Sequence, residues 1–107
     1  MTELTKEQLD KHIDNKEAFV IDFYADWCEK CVDMMPTIEK LADIYTGKVP
    51  FYKVDIDKSP EFKEWARIKA VPMLTIYNKG HMRGFIFGES TEENIMKKIN
   101  FISKVTH

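Results

Sequence analysis

The sequence predicts an α/β domain in which helices sandwich a central mixed β-sheet. Three observations carry that expectation. Helix-like and strand-like apolar periodicities alternate along the chain. The stretch from Phe19 to Ala25 is apolar on both strand faces apart from Asp22, as a strand covered on each side must be. Two later strand patterns flank the turn residues Asn78, Lys79 and Gly80. With 107 residues, 44% of them hydrophobic and 32% charged, the chain holds material for one core, so a single domain over 1–107 is expected.

The elements follow in order. Thr5 and Gln8 have capping-box spacing ahead of a short first helix whose inner face carries Leu9 and Ile13. Phe19 to Ala25 is the first strand. From Cys28 the stripe Ile38, Leu41, Ala42 and Tyr45 marks a long amphipathic helix ending near Gly47 and bent at Pro36. Pro50 to Ile56 is a second strand, separated from the first by that helix and therefore parallel to it through a right-handed crossover. Ser59 and Pro60 suit the N-cap and first position of a third helix, with Phe62, Trp65 and Ala66 inward. Met73 to Tyr77 and Gly84 to Phe87 read as an antiparallel hairpin. Ser90 and Glu93 are spaced as a second capping box, opening a last helix that buries Ile95, Ile99 and Ile102.

Charge and hydropathy exclude several function classes. The 16 basic residues are scattered against 18 acidic ones, and no basic stripe interleaved with aromatics is present, so nucleic acid is not an expected partner. No apolar run approaches the roughly 20 residues needed to cross a bilayer; Ala18 to Ile21 is among the longest. The first ten residues mix acids, bases and hydroxyls where a secretory leader needs a basic end and an apolar block, which reads as cytoplasmic. A net charge of −2 provides little long-range steering, and a monomer is expected.

Cysteine arithmetic points to chemistry. Cys28 and Cys31 are the only two, so an intramolecular disulfide must join them. So short a loop gains only roughly 2 kcal/mol in the chain-entropy model, against about 4.7 for a hundred-residue loop. The pair lies in Trp27-Cys28-Glu29-Lys30-Cys31, where a strand ends and a helix begins. There the unpaired N–H groups of the first turn favour a thiolate at Cys28, and Cys31 follows on the same side, within bonding reach. One sulfur can attack a target disulfide and the other resolve the mixed disulfide. Lowering a thiol pKa from about 8.5 to about 7 multiplies the rate at pH 7 only about threefold, once the accompanying loss of nucleophilicity is included. Positioning of the target must supply the rest. Metal ligation is the weaker reading, because His12, His81 and His107 would have to complete a zinc site and none has ligand spacing to the pair. Val32 stands where haem attachment wants histidine.

Asp22 is the second pointer. A carboxylate in a doubly covered strand has its pKa raised into the range useful for proton transfer, whereas one facing solvent does not. Lys53 in the next strand reads equally as its charge partner or as a snorkelling surface lysine. Trp27 and Val71-Pro72 are compatible with core packing or with a functional surface, and Gly80, Gly84 and Gly88 form no phosphate-binding loop.

Taken together, Asp22-Phe23-Tyr24-Ala25-Asp26-Trp27-Cys28, Pro36, Lys53-Val54-Asp55-Ile56-Asp57, Val71-Pro72 and Gly88 resemble the thioredoxin family over nearly the whole chain. The resemblance implies a thioredoxin-like fold, Cys28 as nucleophile and Cys31 as resolving thiol. It further implies Asp22 as the buried proton-transfer group with Lys53 beside it, a cis peptide before Pro72, and a substrate groove formed by Trp27, Val71, Pro72 and Gly88. The implied activity is dithiol–disulfide exchange on protein disulfides. No cofactor is implied in the chain itself, with electrons coming from NADPH through a flavin-containing, thioredoxin reductase-like partner. Two departures stand out: Glu29-Lys30 replaces the family's Gly-Pro, and the usual first strand is nearly absent. In relatives, changing that dipeptide shifts the redox potential, and here a value less negative than the roughly −270 mV of thioredoxin is expected. The alternatives are a specialised disulfide oxidase or isomerase, and a binding or chaperone module in which exchange is incidental.

Overall fold

A computed structural model describes residues 1–105; His107, weighed above as a metal ligand, lies outside the described residues. The chain runs β1 (Thr2–Glu3), α1 (Lys6–Asp14), β2 (Phe19–Tyr24), α2 (Glu29–Ile44), β3 (Phe51–Asp55), α3 (Pro60–Ala66), β4 (Met73–Asn78), β5 (His81–Phe87) and α4 (Glu92–Ser103). The sheet order is β1-β3-β2-β4-β5. β1, β3 and β2 are parallel, while β4 runs antiparallel to β2 and β5 antiparallel to β4. The α/β class and mixed sheet therefore match the expectation, with β1 added as a two-residue parallel edge strand.

The sheet divides the core into two layers. Phe19, Ile21 and Phe23 of β2 pack with Leu9 of α1 and Phe62 of α3 on one face. On the other face Val20 of β2 packs with Ile38 and Leu41 of α2 and with Ile95, Ile99 and Ile102 of α4. Each such side chain, fully buried, contributes about 1.5–3 kcal/mol. Strand alternation puts Asp22 on the face of Val20, under α2 and α4.

Local signals place the elements. The Thr5–Gln8 capping box is closed in both directions at 3.0 and 3.1 Å. Pro36 lies inside α2, and Gly47, at φ 81°, follows the end of that helix. The β4–β5 hairpin turns through Lys79 and Gly80, both with positive φ, as a two-residue turn between right-twisted strands requires.

Three expectations change, and one buried residue joins the core. β5 starts at His81 rather than Gly84, because so tight a turn pairs Asn78 directly with His81. The α4 cap is Thr91, whose hydroxyl accepts the Asn94 N–H at 3.1 Å, so the Ser90–Glu93 box is displaced by one residue. Trp65 is 43% exposed rather than inward, since α3 ends one residue later and the indole stacks on Tyr77 at the margin of the face. His12, not singled out for the α1 interior, is buried between Glu17 and Tyr52, with both ring nitrogens hydrogen-bonded.

Candidate active site

The central strand β2 delivers the chain to the C-terminal edge of the sheet, where residues 25–28 turn into α2. The turn is closed by the Cys28 N–H donating to the Ala25 carbonyl at 3.1 Å. Cys28 is the N-cap of α2, and its Sγ accepts the Cys31 N–H at 3.2 Å. The two sulfurs form a disulfide with Cα atoms 5.3 Å apart. Both cysteines are largely buried, Cys28 retaining 7% exposure and Cys31 3%, so the residue at the helix mouth is the more exposed of the two. In the dithiol form, the positive end of α2 and the N–H directed at Cys28 favour a thiolate there.

Trp27 projects beside the pair with 69% exposure. Its indole N–H donates to Asp57 Oδ2 at 2.9 Å, and Asp55 Oδ1 accepts the Asp57 N–H at 2.9 Å. In the sequence Asp57 only ends a strand motif, and nothing in its spacing announces a bond to a residue thirty positions earlier.

Across from this turn the Val71–Pro72 peptide is cis. The Pro72 carbonyl accepts the Gly88 N–H at 2.9 Å, and Gly88 has φ 75°, a conformation that glycine adopts without penalty. Val71 is half-buried against the cluster that contains both cysteines. Beside Cys31 a shallow cleft of about 210 Å³ is lined by Tyr24, Ala25, Asp26, Val32 and Met35.

Asp22 is 5% exposed. Burial pushes its carboxyl up to about 7; Lys53 opposes that shift and Glu39 of α2 adds to it. Asp22 and Lys53 are register partners on adjacent strands, yet among the described ion pairs none joins them. The Lys53 ammonium instead stands 5.8 Å from the centroid of the Tyr24 ring, whose hydroxyl donates to Glu3. Glu39 escaped the sequence reading because its place over β2 depends on how α2 packs. Among the described residues, no group of three or more His, Cys, Asp or Glu side chains is arranged to hold a metal ion.

The geometry thus brings Cys28, Cys31 and Val71 into one cluster, joins Pro72 to Gly88, sets Asp22 opposite Lys53, and ties Trp27 to Asp57. Similarity to known proteins agrees with it. A family model described as thioredoxin matches residues 1–101. The thioredoxin of Chlorobaculum thiosulfatiphilum is 33% identical over 88 residues, covering 82% of each chain. A chloroplastic M-type thioredoxin of Brassica napus is 32% identical over 84 residues, which is 78% of this chain and 48% of that relative; the chain spans about half the length of this plant protein. Among solved structures, oxidized mitochondrial thioredoxin 3 from Saccharomyces cerevisiae superposes with a TM-score of 0.82 at 32% identity, covering 95% of each chain. By its matched family model, its relatives and its bridged cysteine pair, the chain belongs to the thioredoxin family and is a thiol–disulfide oxidoreductase with Cys28 and Cys31 as its redox centre.

Proposed function

We propose that this chain, as a single monomeric domain over 1–107, carries electrons from an NADPH-fed, flavin-containing thioredoxin reductase to disulfides of other proteins. Cys28 is the nucleophile. Its thiolate forms a bond to one sulfur of the target disulfide, the target S–S bond breaks, and the departing thiolate takes up a proton. Cys31 resolves the intermediate: its sulfur bonds to Cys28, the mixed disulfide breaks, and the second target thiol leaves. Asp22 receives the Cys31 proton, with Lys53 setting the local field. Two electrons pass from the protein dithiol to the target, and the reductase restores the dithiol. Trp27, Val71, Pro72 and Gly88 hold the target segment in extended form. The compartment in this reading is the cytoplasm, where NADPH supplies the reductase.

The observation that carries this reading is the placement of the bridged pair, with Cys28 at the N-cap of α2 and more exposed than Cys31. Insulin reduction coupled to NADPH and a flavin-containing thioredoxin reductase tests it. Cys28→Ser and Cys31→Ser should both lose turnover, and only Cys31→Ser should accumulate a mixed disulfide with the target. Equal residual function in the two variants would instead support the binding-module alternative, and trapping through Cys31 would reverse the roles.

A further inference from the structure

The sheet face covered by α1 and α3 is left open at its far side. β5 is an edge strand, with no partner on its outer side among the described residues, and α3 ends at Ala66. Register places Met82, Phe85 and Phe87 opposite Tyr77, Thr75 and Met73, on the open face. Phe85 and Phe87 are 55% and 56% exposed. A cleft of about 210 Å³ separates Met82 and Phe85 from Ala66, Arg67 and Ile68. Two phenyl rings held side by side in water on an unpaired strand mark an interaction surface.

Charge says what would cover it. Residues 65–88 contain Arg67, Lys69, Lys79 and Arg83 and neither Asp nor Glu, leaving 12 basic against 18 acidic side chains in the remainder of the chain. The other face of β5 meets α4 at its midpoint. Gly84 has no side chain there, and α4 fills the space with Ile102, its Cδ1 2.6 Å from where a Cβ would stand, and with the exposed Lys98, its Cε at 3.0 Å. One side of β5 is therefore aromatic, and the other presents an exposed lysine beside Ile102.

We propose that residues 84–87 of β5 dock an extended partner segment in which apolar residues alternate with acidic ones, added to the sheet as a sixth strand. Side chains of such a strand project alternately to the two faces. The apolar set would pack beside Phe85 and Phe87, and the acidic set would face Lys98. Backbone bonds supply affinity and the alternate contacts supply selectivity. A second copy of this chain fits less well, because a two-fold contact sets the same patch against itself and opposes its cations. The inference rests on the exchange reading for its purpose: β5 runs into Gly88, so a segment docked there delivers its protein beside the disulfide.

A cysteine-free peptide, acetyl-Glu-Phe-Glu-Ile-Glu-Phe-Glu-amide, titrated into the ¹⁵N-labelled oxidised full chain tests the docking. Amide shifts should concentrate at residues 82–87. Affinity should fall at least about tenfold for Phe85→Thr and for a peptide with Lys in place of Glu, and by a smaller factor for Lys98→Glu. Phe85→Thr should leave the reduction rate of a small aromatic disulfide unchanged. Should Phe85→Thr disturb the fold, the Lys98→Glu and Arg67→Glu variants carry the same charge test. Shifts confined to Trp27, Val71 and Gly88, equal affinity for the two peptides, or no saturation at millimolar peptide would overturn the proposal. So would a concentration-dependent dimer that Phe85→Thr abolishes, which would identify a second copy as the occupant. The peptide has no sulfur, so its binding stands or falls separately from exchange, and Cys28→Ser should bind it unchanged.

Discussion

Asp22 shows how one buried side chain couples stability to pH. Its carboxyl titrates near 7 in the folded chain, chiefly because burial penalises the charged form, against about 3.9 when unfolded. Between those values the folded state binds the extra proton, so stability falls as pH rises, by about 1.4 kcal/mol per pH unit. Its contribution is fully present below about pH 4 and lost through pH 7, roughly 4 kcal/mol in all for a group this buried. Asp22→Asn removes that dependence. Denaturant unfolding should show the variant gaining on the native chain by a few kcal/mol between pH 4 and pH 8, and a constant difference would contradict the assignment. If Asp22 also takes the Cys31 proton, the same variant should exchange more slowly and its rate should lose the inflection near pH 7. Both outcomes together would mark Asp22 as a carboxylate held for function at a cost in stability. The strand pattern made Asp22 conspicuous in the sequence, as a lone acid between Ile21 and Phe23. The further upward push from Glu39 needed the packing of α2, and the Trp27–Asp57 bond needed two loops to meet.

Element ends divide what the chain announces from what it does not. Thr5 and Gln8 bond as their spacing requires, and the inward positions of α4 are the expected isoleucines, because both follow from local geometry. The start of α4 does not. Ser90 and Glu93 have capping-box spacing, whereas the structure caps the helix one residue later, at Thr91. Thr91→Ala should therefore destabilise the protein by about 1 kcal/mol, within the usual range for a lost N-cap. Ser90→Ala should change stability by less than about 0.5 kcal/mol, so chemical denaturation of both variants distinguishes the frames. β1 was equally hard to read: two exposed residues have no periodicity, and they form a strand because β3 offers an unpaired edge at Tyr52 and Lys53. Trp65 carries the residue type and spacing of a core position, yet it lies one residue from the end of α3, where the indole stacks on Tyr77 and stays 43% exposed. Periodicity identifies a face, and neighbouring elements decide whether that face is covered.

At the scale of the whole molecule, two packed layers hold the redox turn as a small exposed feature on a rigid frame, so the energy difference between dithiol and disulfide is concentrated in the first turn of α2. Closing the four-residue loop contributes only about 2 kcal/mol, and the remaining stability of the bond depends on how firmly the frame presents the sulfurs to each other. Glu29 and Lys30 occupy that turn, both exposed, where relatives of the usual pattern have Gly-Pro. Their opposite charges largely offset each other at Cys28 and are screened by water. The missing proline is not offset: a freer turn lowers the effective concentration of one thiol at the other, which weakens the disulfide relative to the dithiol. The potential should accordingly be less negative than about −270 mV, with each 30 mV corresponding to about 1.4 kcal/mol. Restoring the dipeptide in a Glu29→Gly, Lys30→Pro double variant should move it back down. By the thermodynamic cycle, that variant should also raise the stability of the oxidised chain relative to the reduced one by the same energy. A glutathione titration that places the native chain at −270 mV or lower, or a double variant with an unchanged potential, would exclude turn rigidity as the determinant.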